Sequence, residues 1–203
     1  MIIFFGDSLT SGENNNFQGF VEKMNKDNCW NVGVSGTCIG DYSLYPVGAT
    51  NLIQQLYKTY LKNASTVILE YGSNDISSIV TGYVNLTRVE IELIKSVDFI
   101  KQQNPDAQIF FILLGKNKNK MAKAQCDYLN NDYIKAPHRV FSSQEWVRIY
   151  DIFEDFVKNL LYVIELPMLD DDDIDVDGIH PNDKGYKKIA EKIKCFLENT
   201  NKN

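Results

Sequence analysis

Three short apolar runs in this chain each stop at a small, polar turn that carries glycine. The opening run, Met1 to Phe5, meets Gly6-Asp7-Ser8, the run from Cys29 to Val34 meets Ser35-Gly36-Thr37, and the run from Ser65 to Tyr71 meets Gly72-Ser73-Asn74-Asp75. Runs this short, rich in β-branched and aromatic residues and ended by glycine, read as buried strands of a parallel sheet. Elsewhere the apolar spacing is helical. Gln18 to Asn25 sets Phe17, Phe20, Val21 and Met24 on one side, and Asn51 to Leu61 is similar. A long helix carries Val89, Leu93, Ile94, Val97 and Ile100; Asn85 or Thr87 caps it, and it ends before Asn104 and Pro105. Residues 108–114 are the most continuous apolar run and read as a central strand. Met121 to Asn131, Gln144 to Leu160 and Gly185 to Asn199 read as helices, the last burying Ile189, Ile193, Phe196 and Leu197, and Leu161 to Leu166 reads as a final strand closed by Pro167. Thr10 to Asn16, Tyr42 to Val47 and Ala136 to Arg139 are expected to be loop or turn. Strands alternating with helices require an α/β fold with a parallel sheet. If the first three strands are neighbours, their turns meet at the carboxyl edge, where open α/β proteins place their active sites.

The 203 residues suffice for one domain, 1–203, with its own core. Hydrophobic residues at 44% and charged residues at 24% exclude general disorder. A net charge of -6 excludes nucleic acid or an anionic membrane as the main partner, since neither gains from an acidic surface. No stretch reaches the roughly 18 continuous apolar residues of a membrane span. The lysines between 116 and 123 read as a solvated face. Cys29, Cys38, Cys126 and Cys195 include no pair at two-residue spacing, which fits neither a zinc site nor a disulfide framework. They are expected to be buried free thiols in a reducing compartment. With a strand from residue 2 and no basic or apolar leader before it, the chain is expected to be cytoplasmic.

Acyl transfer through a serine needs a hydroxyl, a base, an acid that orients the base, and donors for the developing oxyanion. Ser8 can supply the hydroxyl and His180 the base, with Asp177 three residues earlier as the orienting acid. Donors are available from the backbone amides of Ser8 and Gly36 and the side-chain amide of Asn74. Each residue also has a plainer reading. Ser8 can cap a helix, Asn74 can form a turn, Asp177 can belong to a solvated acidic run, and His180 can be an exposed loop residue. The other histidine, His138, stands beside no acid or glycine-rich turn and reads as a surface or packing residue.

Together these blocks resemble the SGNH hydrolase superfamily, the GDSL esterases and lipases. Gly6-Asp7-Ser8-Leu9 resembles the family's first block, with Ser8 as nucleophile. Asn31-Val-Gly33-Val-Ser-Gly36 resembles the second, implying an oxyanion amide at Gly36. Gly72-Ser73-Asn74-Asp75 resembles the third, with Asn74 as side-chain donor, and Asp177-Gly-Ile-His180-Pro181-Asn182 resembles the last, completing a Ser8-His180-Asp177 triad. The resemblance implies a flavodoxin-like, three-layer α/β/α sandwich around a small parallel sheet of about five strands. It also implies ester hydrolysis through an acyl-enzyme without a cofactor. No G-x-S-x-G elbow surrounds a serine here.

A compact chain without an obvious lid is expected to take small-molecule, short-chain esters, O-acetyl groups on carbohydrate among them. Two alternatives share the scaffold: an acyltransferase with the same triad, and a non-catalytic carbohydrate- or protein-binding domain. The aspartates at 170, 171, 172, 173, 175 and 177 lack the glycine and glutamate of an EF-hand loop and read as a solvated acidic loop with no metal. Charge reaching His180 from this run would favour its imidazolium, so activity is expected to depend on pH through neutrality.

Overall fold

The computed structural model describes residues 1–42, 50–133 and 140–200, with residues 132 and 133 described by backbone alone. Five strands, β1 (Ile2–Gly6), β2 (Cys29–Asn31), β3 (Thr66–Glu70), β4 (Gln108–Leu113) and β5 (Tyr162–Glu165), form a parallel sheet in the order β2-β1-β3-β4-β5. The helices are α1 (Ser8–Ser11), α2 (Phe20–Lys23), α3 (Leu52–Lys58), α4 (Ser73–Val80), α5 (Leu86–Gln103), α6 (Lys118–Tyr128), α7 (Ser143–Leu160) and α8 (Asp183–Thr200).

Strand register assigns the layers. Phe4 pairs with Ile68, Ile68 with Phe110, and Phe110 with Tyr162, while Phe5, Leu69, Phe111 and Val163 form the next row. Successive strand residues face opposite sides, so the two rows belong to opposite faces. On the first face Phe4 meets Phe20 of α2 edge-on at 5.8 Å and Phe110 meets Phe196 of α8 at 5.1 Å. On the second, Phe111 meets Phe153 of α7 at 5.9 Å; α4, α5 and α6 pack against α7, and α3 packs against α5. The result is a three-layer α/β/α sandwich. With both faces covered, Ile3, Phe4, Phe5, Val67, Ile68, Leu69 and Phe111 lose all exposure, which is why the strands read as continuous rather than alternating apolar runs.

Several expected boundaries move. β2 ends at Asn31, yet Val32 and Val34 still donate N–H bonds to Phe4 and Gly6, which keeps the chain beside β1 as far as the turn. Thr10 to Asn16 is not loop throughout. Asp7 caps the single turn of α1 by accepting the Leu9 N–H at 3.0 Å, and a 3-10 turn, Glu13–Asn15, follows. The helix expected from Gln18 to Asn25 shrinks to Phe20–Lys23 because Asn16, Phe17 and Asn25 take positive φ, so Phe17 is exposed while Phe20, Val21 and Met24 are buried. Ser73-Asn74-Asp75 opens α4, a helix concealed by its polar composition. Asn85 caps α5 as expected, accepting the Arg88 N–H.

Helix α6 starts at Lys118, which pairs with Asp151 and Glu154, and continues through a π-helical turn, Leu129–Tyr133. Cys38 and Cys126 are buried, Cys29 is half-buried, and Cys195 is exposed rather than buried because it lies on the outer side of α8; Phe196, against Phe110, is only partly covered. All four thiols are free. Leu44, Tyr45, Pro46, Val47 and the turn from Ala136 to Arg139, including His138, lie outside the described residues. Among the described residues no helix is long and apolar enough to cross a membrane.

Candidate active site

The strand order reverses at β1, with β2 on one side and β3 on the other, and such a switch point opens a crevice at the carboxyl ends. Ser8 stands there, directly after β1. Gly36 arrives from the loop after β2, in the left-handed conformation (φ 74°) that glycine takes without strain, and Asn74 arrives from the first turn of α4 after β3. Asp177 and His180 come from the loop between β5 and α8. That loop folds back on itself: Ile174 bridges Pro181, Asp175 N–H donates to His180 O at 2.7 Å, and Asn182 N–H donates to Asp173 O at 2.9 Å. The Asn182 side chain donates to the Asp172 carbonyl and accepts the N–H groups of Lys184 and Gly185, tying the loop to the start of α8. Gly185 packs so closely that a Cβ there would lie 2.2 Å from the Asp173 carbonyl oxygen.

These elements bring Ser8, His180 and Asp177 into one hydrogen-bonded line. Ser8 Oγ lies 2.7 Å from His180 Nε2, and His180 Nδ1 lies 2.6 Å from Asp177 Oδ2. With Nδ1 donating to the carboxylate, Nε2 is left to accept the Ser8 proton. Asp177 is itself fixed: Oδ1 accepts the N–H groups of Ile179 and His180, both at 2.9 Å. Partial burial pushes its carboxyl up, but the His180 ring and these backbone donors outweigh burial and bring it down to about 2.

Asn14, within the polar stretch Thr10 to Asn16, also belongs to this line. Its Nδ2 donates to Asp177 Oδ2 at 3.0 Å and lies 2.8 Å from His180 Nδ1. Nothing in the run Asn14-Asn15-Asn16 singles out the first asparagine; the 3-10 turn after Gly12 selects it by aiming it across the crevice.

Gly36 and Asn74 line the same hollow as Ser8, a cavity of about 330 Å³ whose remaining wall includes Ser35, Gln125 and Tyr128. Gln125 and Tyr128 sit on α6 in a stretch without a recognisable motif. Asn74 is buried, and its Nδ2 donates to Thr37 O at 3.0 Å and to Asp7 Oδ2 at 3.2 Å. Beneath it Asp75 accepts from Ile39 N–H (2.9 Å), the Tyr42 hydroxyl (2.8 Å) and Gly72 N–H (3.2 Å), which fixes the loop after β2 to the start of α4. Tyr42 therefore packs the loop onto the body.

A second hollow of about 620 Å³ adjoins the first at Tyr128 and Asp177 and continues over Lys123, Asp127, Asn131 and Asp175. The aspartate run is divided among separate tasks and is not uniformly solvated. Asp171 pairs with Lys120, and the fully buried Asp173 pairs with Lys184 and Lys188 and has its carboxyl at about 2, the lysines and the Asp170 N–H outweighing burial. Among the described residues there is no group of three or more side chains able to hold a metal ion.

An α/β/α sandwich with a serine, an imidazole and a carboxylate in line at the carboxyl edge of its sheet defines the class of serine-dependent hydrolases. The pattern of the GDSL-like lipase/acylhydrolase family matches residues 4–188, and the chain belongs to that family, a carboxylic ester hydrolase within the SGNH superfamily. Solved structures share the fold. A family 3 carbohydrate esterase from Clostridium thermocellum superposes with a TM-score of 0.60 at 20% identity, over 98% of this chain and 95% of that one. The family two carbohydrate esterase of the same organism gives 0.64 at 16%, over 98% and 63%. A carbohydrate acetylesterase family member from Sinorhizobium meliloti gives 0.61 at 10%, over 97% and 96%. At these identities the likeness is one of fold. No curated protein matches the chain significantly.

Proposed function

We propose that the chain hydrolyses short-chain carboxylic esters, with O-acetyl groups on carbohydrate as the leading substrate class, through a Ser8-His180-Asp177 triad. The observation that carries this reading is the unbroken line from Ser8 Oγ through His180 to Asp177, with contacts of 2.7 and 2.6 Å. His180 Nε2 takes the Ser8 proton as Oγ attacks the ester carbonyl, and Asp177 stabilises the imidazolium that forms. The tetrahedral oxyanion is received by the Ser8 and Gly36 backbone amides and by Asn74. Collapse of the intermediate passes the proton from His180 to the departing alcohol and leaves an acyl-enzyme, which a water deprotonated by His180 then hydrolyses.

The cavity of about 330 Å³ beside Ser8 supports a small acyl group, and the adjoining hollow, with its carboxylates, amide and tyrosine, suits a polyhydroxylated alcohol. The carbohydrate esterases that share the fold point the same way. The test is a p-nitrophenyl ester series from acetate to octanoate together with acetylated sugars, comparing the native chain with Ser8→Ala. Turnover that is greatest on the shortest esters, extends to the sugars and is lost in the variant is the expected result. Equal turnover by both proteins would overturn the triad, and consumption of ester only when a second alcohol is supplied would indicate an acyltransferase instead.

A further inference from the structure

The geometry points to Glu70 as a positioning residue of the oxyanion site: its protonated carboxyl holds the Asp7 carboxylate while the Asn74 amide exchanges Asp7 for the substrate oxyanion. The inference rests on the reading of Ser8 as nucleophile given above.

Gly6 and Glu70 are register partners at the carboxyl ends of β1 and β3, and Asp7 follows Gly6 as the N-cap of α1, so Asp7 and Glu70 lie at the same edge of the sheet. They are 0% and 3% exposed, and their carboxyl groups interact. Asp7 also accepts Leu9 N–H on Oδ1 and both the Ser73 hydroxyl and the Asn74 amide on Oδ2, while Glu70 Oε2 accepts the Thr10 hydroxyl. Two negative charges in contact at a buried site are too costly to coexist, so the pair keeps one proton. Asp7 has the larger set of outside donors. The charge therefore rests on Asp7 and the proton on Glu70, whose carboxyl is pushed well above its usual range by burial and by the Asp7 charge.

Both Asn74 amide protons are engaged, at Thr37 O and Asp7 Oδ2. Donation to an oxyanion must draw on one of them, and the longer, 3.2 Å bond to Asp7 is the one to yield. Asp7 then loses a donor while buried, and the Glu70 proton is the donor positioned to compensate. The proton stays on Glu70; only its hydrogen bond to Asp7 tightens. Without that proton Asp7 would retain Asn74, and two charges would lie beneath the position where a third develops. The other titratable groups facing the pair are Tyr71 after β3, Asp75 on α4, Tyr150 on α7, Tyr186 on α8, and His180 over Asp7. Of these only His180 can carry positive charge.

The experiment measures kcat and KM on p-nitrophenyl acetate from about pH 6 to about pH 10 for the native chain, Glu70→Gln, Glu70→Ala and Ser8→Ala, with folding checked by circular dichroism. A glutamine amide can donate to Asp7 and accept from Thr10, so Glu70→Gln is expected to keep its neutral kcat within about threefold. Ionisation of Glu70 at high pH is expected to lower the native kcat, and any such fall is absent in Glu70→Gln. Glu70→Ala is expected to lose about tenfold or more in kcat with KM within about twofold. Parallel alkaline falls in the native chain and Glu70→Gln, or equal neutral activity of Glu70→Ala and Glu70→Gln, would overturn the proposal. If Glu70→Ala fails to fold, the native and Glu70→Gln profiles decide alone. Turnover surviving Ser8→Ala would overturn the underlying reading, whereas an inactive Ser8→Ala with unaltered Glu70→Gln behaviour defeats only the role of Glu70.

Discussion

Asp75 offers a quantitative test of the buried polar layer under the site. Burial, opposed by the Ile39 and Gly72 N–H groups and the Tyr42 hydroxyl and reinforced by the Asp7 charge, lifts its carboxyl from 3.8 to about 7. Between those values the unfolded chain has released a proton that the folded chain still holds, so folding stability is greatest below the lower value and falls as pH rises toward the upper one. Each unit of separation corresponds to about 1.4 kcal/mol. Integrated from about pH 5 to about pH 7, with the native group half-titrated at the upper limit, the loss is about 2 kcal/mol. Asp75→Asn removes the titration. It also replaces one carboxylate oxygen with an NH2 group that cannot accept a hydrogen bond, a penalty of about 1–3 kcal/mol that does not vary with pH. Urea unfolding at three pH values across this interval should find the variant less stable at the acid end, with the gap closing by about 2 kcal/mol at neutrality. Asp7 and Glu70 are common to both proteins, so the difference reads chiefly the Asp75 titration. A gap that stays constant with pH would refute the reasoning.

Three further outcomes follow from the geometry. Asn14→Ala removes a donor to Asp177 and should lower kcat about tenfold while leaving KM nearly unchanged, as steady-state kinetics on a short ester would show. Gly185→Ala sets a methyl group against the Asp173 carbonyl, so the start of α8 must shift; a cost of about 1–3 kcal/mol should appear in denaturant unfolding, together with reduced turnover from a displaced His180. Because Asp177 stays ionised down to about 2, its own titration contributes no limb above about pH 5, and Asp177→Asn should depress kcat throughout about pH 5 to pH 9.

The parts of this molecule legible in the sequence share one cause. A strand covered on both faces must be apolar throughout, so its end is marked by the first small polar residue, and Ser8, Gly36 and Asn74 all stand at or just beyond such ends. Asp177 and His180 were legible through their spacing and their place before the last helix. What stayed hidden is polar and buried, or displaced by backbone conformation. Helix α4 buries Ser73, Asn74, Asp75, Ser77 and Ser78 beside Ile76 and Val80, and Ser77 bonds to Gln125 and Trp146, so its short apolar stripe is outnumbered by buried polar residues. The one-turn α2 was overestimated because positive φ at Phe17 and Asn25 cannot be seen in hydrophobic spacing. Asn14, Gln125 and Tyr128 reach the cavity only through the angles at which their segments cross the sheet edge.

The proposed nucleophile and base, Ser8 and His180, stand 172 residues apart, and His180 lies on the approach to α8. β1 and Ser8 precede α8 in the chain, yet His180 is not positioned until α8 has docked Phe196 on Phe110 and its first turn has met Lys23 through Asp183. On the proposed triad, reactivity at Ser8 therefore waits for α8. The onset of ester cleavage during refolding would then serve as a clock for the docking of α8, and fragments ending before α8 would carry the proposed nucleophile in a silent form.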